Sequence, residues 1–309
     1  MKKAFFWLVI VAILVLPVFG LEYYLRFIGL GDPIVYDADR AYGYAPRAKQ
    51  RKERMRGAIV TINESGLRST ESWANQDKEK VLFVGDSVTW GGTRLDDTQV
   101  FPHLFCEIVN ERFEEEKYTC GNAGVNAYGV LNMILRVKYD ERINDAQTIV
   151  MTIFVKDFQR GWRNQRVSHY FLRENDVFFR GINEFISYLA FQYDINFMFA
   201  KRPDIEPGHS FEGIDFAVEL LRELGDDLEA SGQDLHIALT PLLADLDFQE
   251  EYDAYVLAEL KKHFPDLILL SEPLRQDDDL FADRMHYSPR GHAAVAKYLA
   301  EVIPLGSQP

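Results

Sequence analysis

The sequence predicts an α/β sandwich, a parallel sheet covered by helices on both faces. Two observations carry this expectation. From about Lys80 onward, short β-branched apolar runs alternate with amphipathic stretches of helical period. The alternation of strand and helix is strict, which requires helical crossovers and therefore parallel, doubly covered strands. Val81-Leu82-Phe83-Val84 is the first strand run and stops at Gly85. Residues 100–115 read as helix, leading to Tyr118-Thr119-Cys120 and then Gly121-Asn122-Ala123-Gly124. A second helix fits 130–139, and Thr148 to Phe154 is the clearest β-branched run. Ile214, Ala217, Val218, Leu221 and Leu224 recur at helical spacing, as do Tyr252, Tyr255, Val256 and Leu260. Leu235 to Leu239 and Leu267 to Leu270 supply two more strands. Ser288 is an N-cap with Pro289 at the first helical position, opening a last helix through Ala300.

Composition narrows the function classes. The chain has 309 residues, 47% hydrophobic and 27% charged, which is ordinary for a globular protein. Its formal net charge of −14 makes nucleic acid a poor partner, since phosphate binding needs a basic face. Two cysteines exclude a disulfide framework and any multi-cysteine zinc module. Cys106 and Cys120 fall on a helix and the strand after it; two buried free thiols are the expected state, and a single disulfide outside the cytoplasm is the alternative.

The amino terminus differs from the rest. Residues 4–20 carry no charge, and Lys2 and Lys3 stand directly before them. A spanning helix needs about 20 such residues, and Leu21, Tyr23, Tyr24, Leu25 and Phe27 extend the run with interface-seeking aromatics. This reads as an uncleaved inner-membrane anchor over 1–28; a cleaved secretory signal, with small Val18 and Gly20 before the cut, is the other reading. Lys2 and Lys3 hold the terminus in the cytoplasm, so the remainder is expected to be periplasmic or extracellular. The basic run from Arg47 to Arg56 lies beyond the roughly 15–20 residues within which charge sets orientation. It reads as a solvated loop, with lipid or acidic-polymer contact as the rival account. Residues 29–79 form a polar lead-in, and 80–304 the α/β domain. An aromatic segment at 157–210 interrupts the alternation; it is expected to be a helical insertion with its own small core, or else a lid over a ligand.

Three places in the domain can do chemistry. Ser87 follows the first strand directly, in Gly85-Asp86-Ser87, where α/β enzymes keep reactive groups. Asp283-Arg284-Met285-His286 lies after the last strand, so His286 can serve as base to Ser87 and Asp283 can orient it. His292, farther along the helix, reads as structural. Asn122-Ala123-Gly124-Val125-Asn126 ends the second strand, where the N–H groups of Ser87 and Gly124 can face a developing oxyanion.

In these blocks the chain resembles the SGNH (GDSL-type) hydrolase superfamily over roughly residues 80–304. Gly85-Asp86-Ser87 is similar to its first block, Gly124 to its second and Asp283 with His286 to its last. The lead-in, with Ile62-Asn63-Glu64-Ser65-Gly66-Leu67-Arg68, is similar to membrane-anchored members. The resemblance implies a three-layer α/β/α, flavodoxin-like fold and ester hydrolysis or acyl transfer with no metal and no cofactor. One block departs. Where the family has an asparagine as third oxyanion donor, this chain reads Val155-Lys156-Asp157-Phe158. Lys156 supplies donors of different reach and charge, and Asn126 is the nearby carboxamide. The expected function is a serine esterase on an ester-bearing substrate such as acylated carbohydrate. An O-acyltransferase using the same serine and a non-catalytic binding subunit are the rivals.

Overall fold

A computed structural model of the chain describes residues 2–162, 178–192, 211–275 and 277–306. An apolar helix comes first, α1 (Lys2–Phe27), then two small antiparallel hairpins built from β1 (Tyr36–Asp39) with β2 (Gly43–Pro46), and β3 (Gln50–Glu53) with β4 (Ile59–Ile62). The alternating part follows as β5 (Glu79–Gly85), α2 (Ser87–Trp90), α3 (Phe101–Phe113), β6 (Tyr118–Gly124), α4 (Val130–Tyr139) and β7 (Thr148–Phe154). It continues through α5 (Arg180–Gln192), α6 (Phe211–Ala230), β8 (Asp234–Thr240), α7 (Glu251–His263), β9 (Ile268–Leu269), α8 (Ser271–Leu274) and α9 (Pro289–Val302).

The five later strands form one parallel sheet in the order β6-β5-β7-β8-β9. Because β5 lies between β6 and β7, the winding direction reverses beside it, and the carboxyl end of β5 is the switch point where such sheets place ligands. Side chains alternate across each strand. On β5, Leu82 and Val84 join α4, α6 and α7 in one core. Val81 and Phe83 enter a second core with α3 and α9. The fold is the expected three-layer α/β/α sandwich. Ser288 caps α9 by accepting the Gly291 N–H at 3.2 Å.

The lead-in departs from the sequence expectation. It is not a polar connector: Ile34, Tyr36, Tyr44, Val60, Ile62, Leu67 and Trp73 are buried in the same core as Leu82 and Val84. Arg68 pairs with Asn122 as an antiparallel bridge beside β6. A Cβ on Gly121 would lie 2.5 Å from Leu67 Cδ1 and 2.8 Å from Trp73, so that strand position is kept bare for the lead-in to pack on.

The cysteines correct a second expectation. Cys106 on α3 and Cys120 on β6 form a disulfide, with Cα atoms 5.7 Å apart, and neither is a free thiol. Proximity fixed by the α3–β6 crossover brings the sulfurs together. A bridge with a sequence separation of 14 stabilises by about 3 kcal/mol. Reduction by dithiothreitol, or the double change Cys106→Ser/Cys120→Ser, is therefore expected to lower the unfolding free energy by about that amount, read from urea midpoints.

Among the described residues, α1 is long and apolar enough to cross a membrane over Phe5–Phe27. Its carboxyl-terminal turns are fastened to the domain. Glu22 accepts the N–H groups of Gly181 and Ile182 at 3.0 and 2.9 Å and so caps α5. Phe19 packs edge-on against Phe178 and Phe179. A buried Arg54–Glu184 ion pair ties the β3–β4 hairpin to α5, and Glu184 also accepts the Gly31 N–H. In the aromatic segment, Trp162 donates to the Ala41 carbonyl at 3.0 Å. Tyr170, Phe171, Tyr193, Phe197 and Phe199 lie outside the described residues, so the structure bears on the lid reading only through the flanks.

Candidate active site

The turn after β5 is shaped by close approach. A Cβ on Gly85 would meet Thr89 Oγ1 at 2.0 Å and the Thr152 carbonyl at 2.6 Å, which only glycine avoids. Asp86 then caps α2, its Oδ1 accepting the Val88 N–H at 2.8 Å. This sets Ser87 at the first position of a short helix, half-buried at the sheet edge. Arg68, fully buried, donates to the carbonyls of Trp90, Gly92 and Leu95 at 2.6–2.7 Å and pairs with Asp97, which fixes the chain leaving α2.

Across the edge, the loop before α9 delivers the histidine. Ala282 donates to the His286 carbonyl at 2.7 Å and Leu243 donates to the Arg284 carbonyl at 3.0 Å, while Phe281 bridges Tyr287. Ser87 Oγ lies 2.8 Å from His286 Nε2, and His286 Nδ1 lies 2.8 Å from Asp283 Oδ2. Asp283 Oδ1 accepts the N–H groups of Met285 and His286, both at 2.9 Å. Burial raises the Asp283 carboxyl, but these two N–H groups and the imidazole outweigh it and hold it below the usual carboxylate range. An ionised Asp283 keeps a proton on Nδ1 and leaves Nε2 as acceptor toward Ser87. The three residues named from sequence are therefore brought into one hydrogen-bonded chain.

The oxyanion side differs. Gly124 closes β6 beside α2, where a Cβ would lie 2.4 Å from the Trp90 nitrogen, and its N–H is donated to Asn122 Oδ1 at 2.8 Å. Asn122 Nδ2 in turn donates to the Thr89 carbonyl at 2.8 Å. The Lys156 ammonium has no hydrogen bond to Ser87 among the described residues. Its ammonium is bonded to Asp253 and, at 3.0 Å, to Glu250 Oε2, with the Tyr252 ring 5.2 Å away. Burial works against that ammonium, yet Asp253 and Glu250 push its pKa up. The physical reason is Asp253, a fully buried carboxylate on α7 that takes the lysine as counter-charge. Asp245, Glu250 and Asp253 offer three carboxylate oxygens within 4.8 Å of one another, and Lys156 is bonded into that group.

Asn126 is the remaining polar group. Val125 donates to the Gly85 carbonyl at 3.0 Å, which brings Asn126 to the Ser87 edge. The Tyr44 hydroxyl donates to the Asn126 carbonyl at 2.6 Å, Tyr128 donates to the Tyr44 carbonyl, and Ala127 is held at a φ of 64°. A non-glycine residue in the left-handed region is held there by its surroundings. The half-buried Asn126 carboxamide has no hydrogen bond among the described residues.

Sequence reasoning passed over one cluster. Arg160 pairs with the fully buried Asp86 at 2.9 Å and with the fully buried Asp157, and donates to the Tyr128 carbonyl at 3.0 Å. Asp86 Oδ2 is also 3.4 Å from Ser87 Oγ, so the guanidinium sits one carboxylate away from the nucleophile. Burial pushes the Asp157 carboxyl well above its usual range, and Asp86 adds to this against the pull of Arg160. The only signal was the spacing of Asp157 and Arg160 by three.

His292 is structural, as expected. It is buried, accepts the Phe101 N–H at Nδ1 (3.2 Å) and stacks on the Phe101 ring. Burial first, then Arg68 and His286, push its pKa down to about 3 from the ordinary 6.5. Between those values the unfolded chain binds a proton that the folded chain refuses, so stability is full above pH 6.5 and falls on acidification toward 3. Unfolding free energies from urea melts across that window are expected to decline by up to about 1.4 kcal/mol per pH unit from this group, and His292→Asn to flatten the decline.

No family model and no curated protein matches the sequence. Among solved structures, the acetyl xylan esterase AlAXEase is similar at 15% identity, with a TM-score of 0.43, over 73% of this chain and all of that one. Axe2, an acetylxylan esterase from Geobacillus stearothermophilus, is similar at 19% identity and a TM-score of 0.43, over 72% of this chain and 94% of that one. A lipolytic protein of the G-D-S-L family from Desulfitobacterium hafniense DCB-2 is similar at 10% identity and a TM-score of 0.42, over 73% of this chain and all of that one.

Proposed function

We propose that the chain is a serine esterase held outside the cytoplasm by α1, and that it hydrolyses O-acyl esters of envelope glycans. The observation that carries the reading is the 2.8 Å relay from Ser87 Oγ through His286 to Asp283, set beside the switch point of the sheet. His286 Nε2 accepts the Ser87 proton as Oγ attacks the ester carbonyl, and the resulting imidazolium rests on Asp283. The same proton then passes to the leaving alkoxide. Water, activated by His286, releases the acid from the acyl-enzyme and restores Ser87. The Ser87 N–H and the Asn126 carboxamide are assigned to the oxyanion.

Address supports the substrate class. A 23-residue apolar helix led by Lys2 and Lys3 and a disulfide in the domain both suit an oxidising compartment beyond the inner membrane. Acylated polysaccharide is an ester found there, and the assignment rests on that address. Incubation of the purified chain with acetylated xylooligosaccharides is expected to release free acetate. Acetate transferred to an added sugar acceptor would replace hydrolysis by transfer. Failure of a fluorophosphonate to label Ser87 in folded protein would sink both and favour a binding subunit.

A further inference from the structure

The basic run of the lead-in is the one motif that the esterase reading leaves unused, and the structure gathers it around a cavity. That cavity, about 470 Å³, is lined by Arg47, Lys49, Arg51, Lys52 and Arg180, with Asp32 as its one acidic side chain. Lys52 is neutralised by Asp32 at 2.6 Å, and Arg47 is bonded to Asp37 at 2.9 Å. Lys49, Arg51 and Arg180 have no ion pair among the described residues. In a chain of net charge −14, three uncompensated cations facing one cavity are a local reversal of sign. Such a cavity concentrates an anion.

Its position selects the anion. Gly31 lines the cavity, and α1 ends at Phe27, so the cavity opens one helical turn beyond the apolar span. Exposed aromatics stand on the domain-side half of α1: Tyr23, Tyr24 and Phe27 on its last turns, and Phe178, 80% exposed, packed on Phe19. Arg180 follows Phe178 and Phe179 directly. Aromatics at headgroup depth with cations immediately beyond are the arrangement by which a protein grips a charged bilayer surface. We propose that this cavity binds the phosphate of an anionic phospholipid headgroup in the membrane that holds α1. The proposal rests on the membrane reading of α1 and is independent of the chemistry at Ser87. It also accounts for a basic run on the side of the membrane where positive charge is otherwise disfavoured.

The test uses the full chain, released from nanodiscs of mixed phosphatidylglycerol and phosphatidylcholine and weighed by native mass spectrometry. Phosphatidylglycerol is expected to be retained about tenfold over phosphatidylcholine. Lys49→Gln/Arg51→Gln/Arg180→Gln is expected to lose that preference while keeping ester hydrolysis, which also shows that the variant is folded. Equal retention of the two lipids, or a preference that survives in the triple variant, would overturn the proposal. Inorganic phosphate that displaces phosphatidylglycerol at equal concentration would assign the cavity to free phosphate and overturn the lipid source. A chain whose mass lacks α1 would overturn the membrane reading itself, an outcome separable from loss of lipid preference in an intact chain.

Discussion

Ser87→Ala is expected to lower kcat for acetyl-ester hydrolysis by about 10³–10⁶-fold, with KM little changed and fluorophosphonate labelling abolished. The size follows from what Oγ does. It has a base at 2.8 Å and a place just past the carboxyl end of β5, and alanine removes the covalent route entirely. The fold is expected to survive, because among the described residues the Ser87 hydroxyl is hydrogen-bonded only to His286 and, at 3.4 Å, Asp86. His286→Ala should cost nearly as much, and the double variant little more than either alone, since the two act as one unit. Stopped assays with purified variants of matched urea midpoint would read this. A Ser87→Ala enzyme that kept its turnover would remove the proposed mechanism, whatever the geometry.

The sheet was legible because its signals are local. Thr148 to Phe154 is a run of seven residues buried on both faces, and β7 has those bounds. Ser288 and Pro289 announce α9 through cap chemistry that needs no tertiary knowledge. Ser87 stands just past the end of β5, and Asp283 and His286 stand in the loop before the Ser288-capped α9; the three are joined by hydrogen bonds across the sheet edge. What stayed hidden depends on partners far along the chain. Trp73 sits among polar neighbours and Tyr44 in a short Gly- and Pro-flanked stretch, so neither shows a helical or strand period, yet both are buried, Trp73 against Gly121 of β6 and Tyr44 against the loop after it. Lys156 was read from its own block. Its fate was decided by Asp253, 97 positions later, whose burial demands a cation. The disulfide likewise turned on the spacing between α3 and β6, which sequence does not state. Gly124 is expected from sequence to offer its N–H to an oxyanion. The structure gives a packing reason, the Trp90 nitrogen 2.4 Å from any Cβ, and spends its N–H on Asn122.

Asn126→Ala and Lys156→Met are expected to fail in opposite ways, and the contrast tests the oxyanion assignment. Removing one preorganised oxyanion donor costs about 10²–10³ in kcat, or about 2.7–4 kcal/mol of transition-state stabilisation. Asn126→Ala should show that loss with KM and urea midpoint nearly unchanged. Its carboxamide has no hydrogen bond among the described residues, while the carbonyl that Tyr44 holds remains in the variant. Lys156→Met should leave kcat within about threefold, because among the described residues that ammonium is bonded to Asp253 and Glu250 and has no hydrogen bond to Ser87. Its penalty is stability, about 3 kcal/mol, since Asp253 loses the cation that compensates its burial. Burial already pushes the Asp253 carboxyl above its usual range, so the lysine-free protein should recover part of the loss on acidification as Asp253 takes a proton. The reverse pattern, with Lys156→Met slow and stable and Asn126→Ala fast, would move the third donor back to the lysine. It would require the ammonium to leave Asp253 when substrate arrives, and Asp253→Asn should then raise kcat by freeing it. On the geometry found here, Asp253→Asn changes stability alone.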